Sequence, residues 1–341
     1  MAAVELENVT FRYPGAAADT FADLNLRVAD GEAHALLGAS GAGKTTLLNL
    51  LSGLLVPSGG RVLFDGADVS AVPGRSRSVA QVFQFPVLYE SLSVEDNLAF
   101  PLRVKQASRG QIEERLRIVC EELELTALRT AKPRSLSLFE KQLVAVGKAL
   151  VRPEVSLVLL DEPLTAVEPR IKWRLRQSLR RVQADLGVTM IYVTHDQTEA
   201  LTFADRVSVL TTQGILQTDT PEAIYRSPNH EFVGHFVGSP GMNFLASAAL
   251  GVDGAQRVGF RAEWAELDPH APLRGKVTRE RVLGTRDGAP FGLVTIDTAH
   301  GLVTVRGKLP GAGLRGHDMG IRVQRYVAFV DGLKVAEGEL V

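Results

Sequence analysis

The residues best suited to chemistry lie in one glycine-rich segment, 38–46, which reads Gly-Ala-Ser-Gly-Ala-Gly-Lys-Thr-Thr. It matches the spacing G-x-x-x-x-G-K-[ST] in full, in which glycines let successive backbone N–H groups turn inward around a phosphate chain. Lys44 is expected to reach the β and γ phosphates, and the Thr45 hydroxyl is expected to ligate Mg²⁺. The predicted phosphate site comprises Gly38, Ser40, Gly41, Ala42, Gly43, Lys44, Thr45 and Thr46.

Two carboxylates follow an apolar run further along the chain. Val155–Leu160 is predicted to be a strand, which places Asp161 and Glu162 at its carboxyl end, where ligands of open α/β sheets bind. Asp161 can hold Mg²⁺ through water, and Glu162 can polarise a water for attack on the γ-phosphate. An Asp-Glu pair alone is only moderately specific, but together with the phosphate loop it becomes a strong indication of nucleotide hydrolysis.

A third strand, Val188–Val193, ends in Thr194-His195-Asp196. A lone histidine at a strand end is more often an ordinary polar residue than a ligand. Here it lies at the same predicted sheet edge as the phosphates, which favours a contact between His195 and the γ-phosphate.

These residues need an α/β framework to bring them together. Residues 1–237 alternate continuous apolar runs with predicted helices, such as Gln111–Leu125 and Arg170–Leu186, which is typical of a largely parallel sheet covered on both faces. The phosphate loop lies between a predicted strand and a predicted helix, which disfavours the alternative of a flexible glycine turn. Residues 240–341 hold 16 of the 32 glycines and read as short alternating strands, so we expect a small all-β domain after a linker at Gly238–Asn243.

Composition excludes several classes of protein. The 341 residues carry 38 Lys plus Arg against 39 Asp plus Glu, which argues against a dedicated nucleic-acid binder. The single cysteine, Cys120, lies in a predicted helix and is expected to be a small core thiol rather than a nucleophile. The sequence shows neither a signal peptide nor a run of about 18–20 apolar residues, so a soluble cytosolic protein is expected.

Six motifs, taken in order, resemble those of the ATPase subunit of ABC transporters, particularly the carbohydrate-importer branch typified by the maltose-importer ATPase. They are Tyr13 in Phe-Arg-Tyr-Pro, the loop 38–46, Gln84 in Val-Phe-Gln-Phe-Pro, Leu136-Ser137, Asp161-Glu162-Pro163, and His195 in Val-Thr-His-Asp-Gln. The resemblance implies an α/β P-loop NTPase domain of ABC type over 1–237, with a helical subdomain at about 88–153. It also implies an all-β, OB-like (TOBE-type) regulatory domain over 238–341, whose segment from Gly259, Gly-Phe-Arg-Ala-Glu, is similar to a family pattern that carries Arg-Pro-Glu.

The resemblance also implies roles for individual residues. ATP is the expected nucleotide, with the Tyr13 ring stacked on adenine and Gln84 sensing Mg²⁺ and the attacking water. The implied metal ligands are Thr45, Gln84 and Asp161. The implied catalytic residues are Glu162, His195, Lys44 and Gln84.

The partners follow from the same resemblance. Phe85–Ser93 is expected to contact a transmembrane permease, and its aromatic and apolar character is unusual for a solvated loop. An extracytoplasmic substrate-binding protein belongs to such a complex, and nucleic acid does not. The chain is then expected to be a peripheral subunit on the cytoplasmic face of a bacterial inner membrane, with the pore supplied by other chains.

Two segments depart from the family. The signature, normally Leu-Ser-Gly-Gly-Gln, binds the γ-phosphate held by the other subunit of the dimer. Here it comprises Leu136, Ser137, Leu138, Phe139 and Glu140. Bulk replaces both glycines, and a like charge near the phosphate would cost about 1–4 kcal/mol at surface-like dielectric. The neighbouring loop at the same dimer seam, usually Ser-x-Leu-Asp, reads Thr-Ala-Val-Glu at 165–168 and is followed by Pro169.

The residues that act on the chain's own nucleotide are therefore intact, while those offered to a partner's nucleotide are altered. This asymmetry favours a heterodimer with a second ABC ATPase over a homodimer with two impaired sites. The favoured function is to energise the import of a sugar, glycerol or another polyol. Polyamines and inorganic anions are less favoured substrates. A soluble ABC-type ATPase outside transport and a weakly hydrolysing regulatory subunit remain the alternatives.

Overall fold

Among the described residues, the first part of the chain forms two sheets and six α-helices. The computed structural model describes residues 2–165, 168–311 and 313–340, and the chain divides into two units between Pro221 and Glu222. The strands of the first unit are β1 (Val4–Phe11), β2 (Phe21–Val28), β3 (Ala33–Leu37), β4 (Gly59–Phe64), β5 (Ala67–Asp68), β6 (Val79–Val82), β7 (Leu157–Asp161), β8 (Thr189–Thr194), β9 (Arg206–Thr211) and β10 (Gly214–Asp219). Its helices are α1 (Lys44–Ser52), α2 (Val94–Val104), α3 (Arg109–Glu122), α4 (Leu138–Leu150), α5 (Pro169–Leu186) and α6 (Gln197–Phe203).

The central sheet of this unit has the order β10-β9-β3-β8-β7-β6, and its strands run parallel except for β10. Its central strands β3, β7 and β8 are buried at every position except Asp161, because most of their residues are apolar and both faces of the sheet are covered. In β7, for example, Leu159 packs towards α1 and the antiparallel sheet β2-β1-β4-β5, whereas Leu160 packs with the helical layer that includes α4. The predicted α/β class is confirmed.

α3 and α5 end shortly before residues that adopt a positive φ, which a helix cannot continue through. α3 ends at Glu122, three residues before the predicted Leu125, and Glu124 just beyond it has a positive φ of 57°. α5 ends at Leu186, as predicted, against Gly187 in the left-handed conformation. α2, α3 and α4 occupy 94–150, within the segment 88–153 expected to be helical, and Cys120 is buried among them as a core thiol.

The second unit is all-β apart from two short α-helices, α7 (Pro221–Arg226), which begins at the division, and α8 (Glu231–Phe236), and short 3₁₀ turns. Its strands are β11 (Asn243–Ala246), β12 (Arg257–Phe260), β13 (Ala265–Leu267), β14 (Leu273–Arg286), β15 (Ala289–Thr298), β16 (Gly301–Lys308), β17 (Asp318–Val323), β18 (Arg325–Val330) and β19 (Leu333–Glu339). They form two antiparallel sheets, β11-β12-β18-β19 and β13-β17-β14-β15-β16. The expected all-β C-terminal region is therefore present.

The division at 221/222 lies sixteen residues before the expected boundary at 237/238. A buried arginine accounts for the difference. The Arg261 guanidinium donates to the carbonyl oxygens of Tyr225 at 2.7 Å and Gly234 at 2.9 Å, and to that of Val237. These bonds tie the segment around α7 and α8 to the β-sheets, and burial lowers the pKa of Arg261 to about 10. No helix in the described ranges is long and apolar enough to cross a membrane.

Candidate active site

The loop between β3 and α1 is held in a shape that only glycine permits at two positions. Gly43 precedes α1 with φ 93°, and a Cβ there would lie 2.7 Å from the Phe21 ring. A Cβ on Gly38 would lie 2.5 Å from the Leu210 carbonyl oxygen. The backbone therefore curls closely at the start of α1, where the free N–H groups and the helix dipole favour an anion.

Lys44 lies inside this loop and is buried. Its Nζ donates to the carbonyl oxygens of Gly38 at 2.9 Å and Ala39 at 3.0 Å, and it lies 3.7 Å from Glu162 Oε1. Burial lowers the pKa of Lys44, an effect that the charges of Glu162 and Asp161 oppose. A buried ammonium with one carboxylate at the edge of ion-pair distance is suited to a further anionic group, such as a phosphate.

Glu162 and His195 meet at the carboxyl ends of β7 and β8. His195 Nδ1 lies 3.0 Å from Glu162 Oε2, which also accepts a hydrogen bond from the Thr165 hydroxyl at 3.1 Å. Glu162 has φ 45°, in the left-handed region, and its N–H donates to the Val193 carbonyl oxygen at 3.0 Å. Such backbone strain concentrates at functional sites because it aims a side chain. The structure thus brings Lys44, Glu162 and His195 together.

Asp161 lies beside this pair as the last residue of β7. Burial, followed by the charge of Glu162, raises the pKa of Asp161, and the Lys44 charge opposes the rise. The adjacent Asp161 and Glu162 carboxylates offer oxygen ligands that fit Mg²⁺, which prefers oxygen and completes its shell with phosphate and water. Thr45 is exposed at the start of α1. Gln84 follows β6 at the same sheet edge, but no hydrogen bond joins it to Asp161 or Glu162 among the described residues.

Tyr13 is fixed against the phosphate-loop helix. Its hydroxyl lies 3.0 Å from Thr46 Oγ1, and its ring meets Phe11 edge-on at 4.9 Å between centroids. The side chain is 41% exposed. An aromatic ring that is held at one edge and otherwise open, next to a phosphate loop, is placed to stack on a nucleotide base.

The altered signature forms a closed helix start. Ser137 caps α4 by accepting from the Glu140 N–H at 3.3 Å, while Glu140 Oε2 accepts from the Ser137 N–H and from the Ser137 hydroxyl, each at 2.7 Å. This is a capping box, in which the carboxylate serves its own helix. The sequence-based expectation was a Glu140 charge directed at a partner's phosphate, whereas in this chain the carboxylate turns back onto Ser137.

The two bulky signature residues differ in surroundings. Leu138 is exposed, while Phe139 packs partly buried against the helical core and lies under the Arg174 guanidinium of α5 at 5.5 Å. Phe139 is therefore integrated into this unit rather than extended into solvent. In the adjacent altered loop, Thr165 and Glu168 are described, whereas Ala166 and Val167 lie outside the described residues.

Sequence reasoning missed a buried asparagine. Asn97 of α2 is fully buried, and its side chain bonds the backbone of Tyr89 through both N–H and carbonyl oxygen, at 2.8 and 3.0 Å. It also donates to the Ser93 carbonyl oxygen at 2.9 Å. Asn97 therefore orders the segment Phe85–Ser93, and its position on the apolar face of a helix was the available sequence signal.

That ordered segment presents apolar side chains to solvent. Phe85 is 65% exposed and Val87 is 63% exposed, although both lie next to a packed core. A cavity of about 270 Å³ lies beside Val87, and its lining also includes Phe83 and Pro101. Lys148 of α4 borders it, donating to the Val87 carbonyl oxygen at 3.1 Å.

Comparison with known proteins agrees with this geometry. Residues 21–165 match the sequence family described as ABC transporter. The chain is 40% identical over 251 residues to an sn-glycerol-3-phosphate import ATP-binding protein of Rhizobium johnstonii, covering 74% of this chain and 72% of that protein. The chain belongs to the ATP-binding subunits of ABC transporters.

Other relatives and structures extend the likeness. A trehalose/maltose import ATP-binding protein of Thermococcus litoralis is 44% identical to this ATP-binding subunit over 230 residues, which cover 65% of the subunit and 61% of that relative's length. The structure of cbiO1 from Clostridium perfringens, part of the ABC transporter complex cbiONQ, superposes with a TM-score of 0.61 at 27% identity, covering 65% of this chain and 89% of that chain. The ATP-binding cassette MJ0796, in a dimeric post-hydrolysis state bound to ADP and Pi, gives 0.55 at 27% identity, covering 64% and 98%.

Substituting Asp161→Asn should stabilise the nucleotide-free subunit at pH 7 by about 1 kcal/mol. The folded-state pKa of Asp161 is raised, so the unfolded chain loses this proton first and stability falls as pH rises through the window between the two values. The penalty is present above the raised pKa of Asp161, and the substitution removes it. Urea unfolding at pH 7 and at pH 4.5 should show the advantage of the variant shrinking at the lower pH.

The matched control is Asp253→Asn, which removes an exposed carboxylate in the second unit and should shift neither curve. An Asp161→Asn variant that is no more stable than the parent at pH 7 would contradict the crowding of these two carboxylates.

Proposed function

We propose that this subunit hydrolyses ATP to energise a bacterial ABC importer for a sugar, glycerol or another polyol. The observation that carries the proposal is the meeting of the Lys44 ammonium, the Glu162 carboxylate and the His195 ring beside the phosphate loop. The relatives named for trehalose/maltose and sn-glycerol-3-phosphate import support the substrate class. Binding to the transmembrane permease would place the subunit at the cytoplasmic face of the membrane, with an extracytoplasmic substrate-binding protein in the same complex.

The chain's own residues account for the chemistry. The curled loop and Lys44 bind and orient the β and γ phosphates, because backbone N–H groups and the buried ammonium favour negative charge. Glu162 orients the attacking water in line with the γ-phosphate and accepts a proton from that water. His195 contacts the γ-phosphate and orients the Glu162 carboxylate through their hydrogen bond. Mg²⁺, held by Thr45 and Asp161, would supply neutralisation of phosphate charge when bound.

Replacing Glu162 by Gln should lower kcat for Mg·ATP hydrolysis by about 10²–10³-fold, because the amide cannot accept the proton of the water. Nucleotide affinity should change little, since Lys44 and the loop remain. Steady-state phosphate release and binding of a fluorescent ATP analogue measure the two quantities. Glu124→Gln, an exposed glutamate paired with Arg181 at 3.0 Å, is the control. Full turnover by the Glu162→Gln variant would refute the assignment.

We propose further that the subunit pairs with a second, non-identical ABC ATPase. The capping box at 137–140 supports this, because the Glu140 carboxylate uses the N–H and hydroxyl of Ser137 that a partner's phosphate would need. The start of α4 is thereby already satisfied by a negative group. One sound composite site would combine this chain's phosphate loop with an intact signature from the other ATPase.

Restoring the signature tests this pairing. The variant Leu138→Gly/Glu140→Gln opens the start of α4 while keeping Phe139, whose loss would leave a cavity beside the core. The purified parent should hydrolyse ATP slowly, and the restored variant should be faster by about tenfold, or roughly 1.4 kcal/mol. Adding Phe139→Gly gives the complete family signature for comparison.

A parent that turns over robustly and cooperatively alone would overturn the pairing. A parent and restored variants that all remain slow, even with the second ATPase present, would favour the weakly hydrolysing regulatory subunit instead.

We also propose that Phe85–Ser93 receives the permease. Exposed apolar side chains on a segment ordered by the buried Asn97 form a surface suited to a protein partner rather than to water. Phe85→Ser/Val87→Ser should leave ATP binding intact and abolish co-purification with permease subunits encoded nearby. Leu54→Ser/Val56→Ser alters equally exposed residues before β4 and should retain the complex. Retention by both pairs of substitutions would contradict this docking segment.

A further inference from the structure

Glu199 is a buried carboxylate to which the proposed reaction assigns no role. It lies on α6, four residues after His195, and is only 2% exposed. Its Oε2 accepts from the Tyr192 hydroxyl at 3.0 Å and from the Thr194 hydroxyl at 2.8 Å, and its Oε1 accepts from Lys172 Nζ at 2.8 Å. Three donors from β8 and α5 therefore converge on one carboxylate, whose charge also contributes, after burial, to raising the pKa of Tyr192.

The threonine bond bears on His195 through the backbone. A threonine hydroxyl has one proton to donate, and Thr194 must give it to Glu199 because a carboxylate can only accept. The Thr194 oxygen is then left to accept, and it receives the Asp196 N–H at 2.9 Å. Thr194 and Asp196 flank His195, so the chain is held on both sides of the histidine by a relay that starts at Glu199.

Lys172 gives the Glu199 carboxylate an oppositely charged partner, with its Nζ 2.8 Å from Glu199 Oε1. Lys172 lies in the first turn of α5 and is partly buried, and its Nζ also lies 3.8 Å from Asp196 Oδ2. A buried carboxylate without a cation would be costly, because burial removes the water that would otherwise solvate its charge. Asp196 caps α6 by accepting a hydrogen bond from the Thr198 N–H at 2.8 Å. The contact between Lys172 and Asp196 therefore links the start of α5 to the start of α6.

We propose that Glu199 is a positioning residue for His195, acting through its hydrogen bond from Thr194 and paired with Lys172. The inference rests on the proposed role of His195 in ATP hydrolysis. The Glu199 carboxylate bonds to Tyr192, Thr194 and Lys172 and takes no direct part in the proposed reaction. It fixes the backbone from which the imidazole projects toward Glu162.

The test is a double-substitution cycle on the full-length subunit, assayed together with its partner ATPase if the subunit alone is slow. Glu199→Gln should lower kcat about tenfold and leave the KM for Mg·ATP within about twofold, because phosphate binding is untouched. His195→Ala should lower kcat by more. In the His195→Ala background, Glu199→Gln should cause no further loss, since its effect passes through the missing ring.

A readout independent of activity accompanies the kinetics. Hydrogen exchange at the Asp196 amide should accelerate in Glu199→Gln, because its acceptor, Thr194 Oγ1, is no longer held in place. Thr194→Val removes the hydroxyl without altering any charge and should reproduce the kinetic effect if Glu199→Gln folds poorly. Lys172→Met should resemble Glu199→Gln. Arg181→Met breaks another α5 ion pair, to Glu124, and is the matched control.

The outcomes separate the two claims. If His195→Ala leaves kcat unchanged, the proposed role of His195 fails. If His195→Ala lowers kcat but Glu199→Gln lowers it equally in both backgrounds, or lowers only the melting temperature, the positioning role of Glu199 is overturned. A loss confined to KM overturns it as well.

Discussion

One buried cation and two crowded carboxylates meet at the edge of a parallel sheet, and the arrangement of the first unit follows from their electrostatics. Lys44 has its pKa lowered by burial, while Asp161, beside Glu162, has its pKa raised. Each group is therefore less well compensated by the protein than it would be in water, and each would gain from a ligand that carries phosphate and a divalent cation. The unusual backbone of Gly43 and Glu162 maintains this arrangement.

The N-termini of α1 and α4 differ in whether they are free to bind an external anion. The residue that precedes α1 is Gly43, which has no side chain to occupy the N–H groups at the start of the helix. The residue that precedes α4 is Ser137, whose backbone N–H and hydroxyl are both bound to the Glu140 carboxylate. The N-terminus of a helix favours a nearby anion. The N-terminus of α1 is open to an external phosphate, whereas that of α4 is already occupied by the Glu140 carboxylate of the same chain. This difference is the structural counterpart of the intact and altered motifs in the sequence.

The fold and the components of the site followed from local patterns. Continuous apolar runs identified β7 and β8, and the glycine spacing identified the phosphate loop, because burial on both faces and positive φ both restrict residue choice strongly. The role of Glu199 did not follow, because its partners Lys172 and Tyr192 lie on other elements and only folding brings them together. The bonds from Glu140 back to Ser137 were likewise not foreseen, because a residue's charge does not show which hydrogen-bond donors lie within its reach.

The packing of Phe139 argues that the altered signature is an integrated feature of this chain. Its ring contacts the helical core and the Arg174 guanidinium, so the residue that displaces a family glycine also joins α4 to α5. α5 in turn carries Lys172, which holds Glu199 behind His195. The surface altered towards a partner and the residues retained for the chain's own nucleotide are thus connected through one helix. A displacement of α4 would therefore be transmitted through α5 to Lys172 and Glu199, because packed helices shift as rigid bodies.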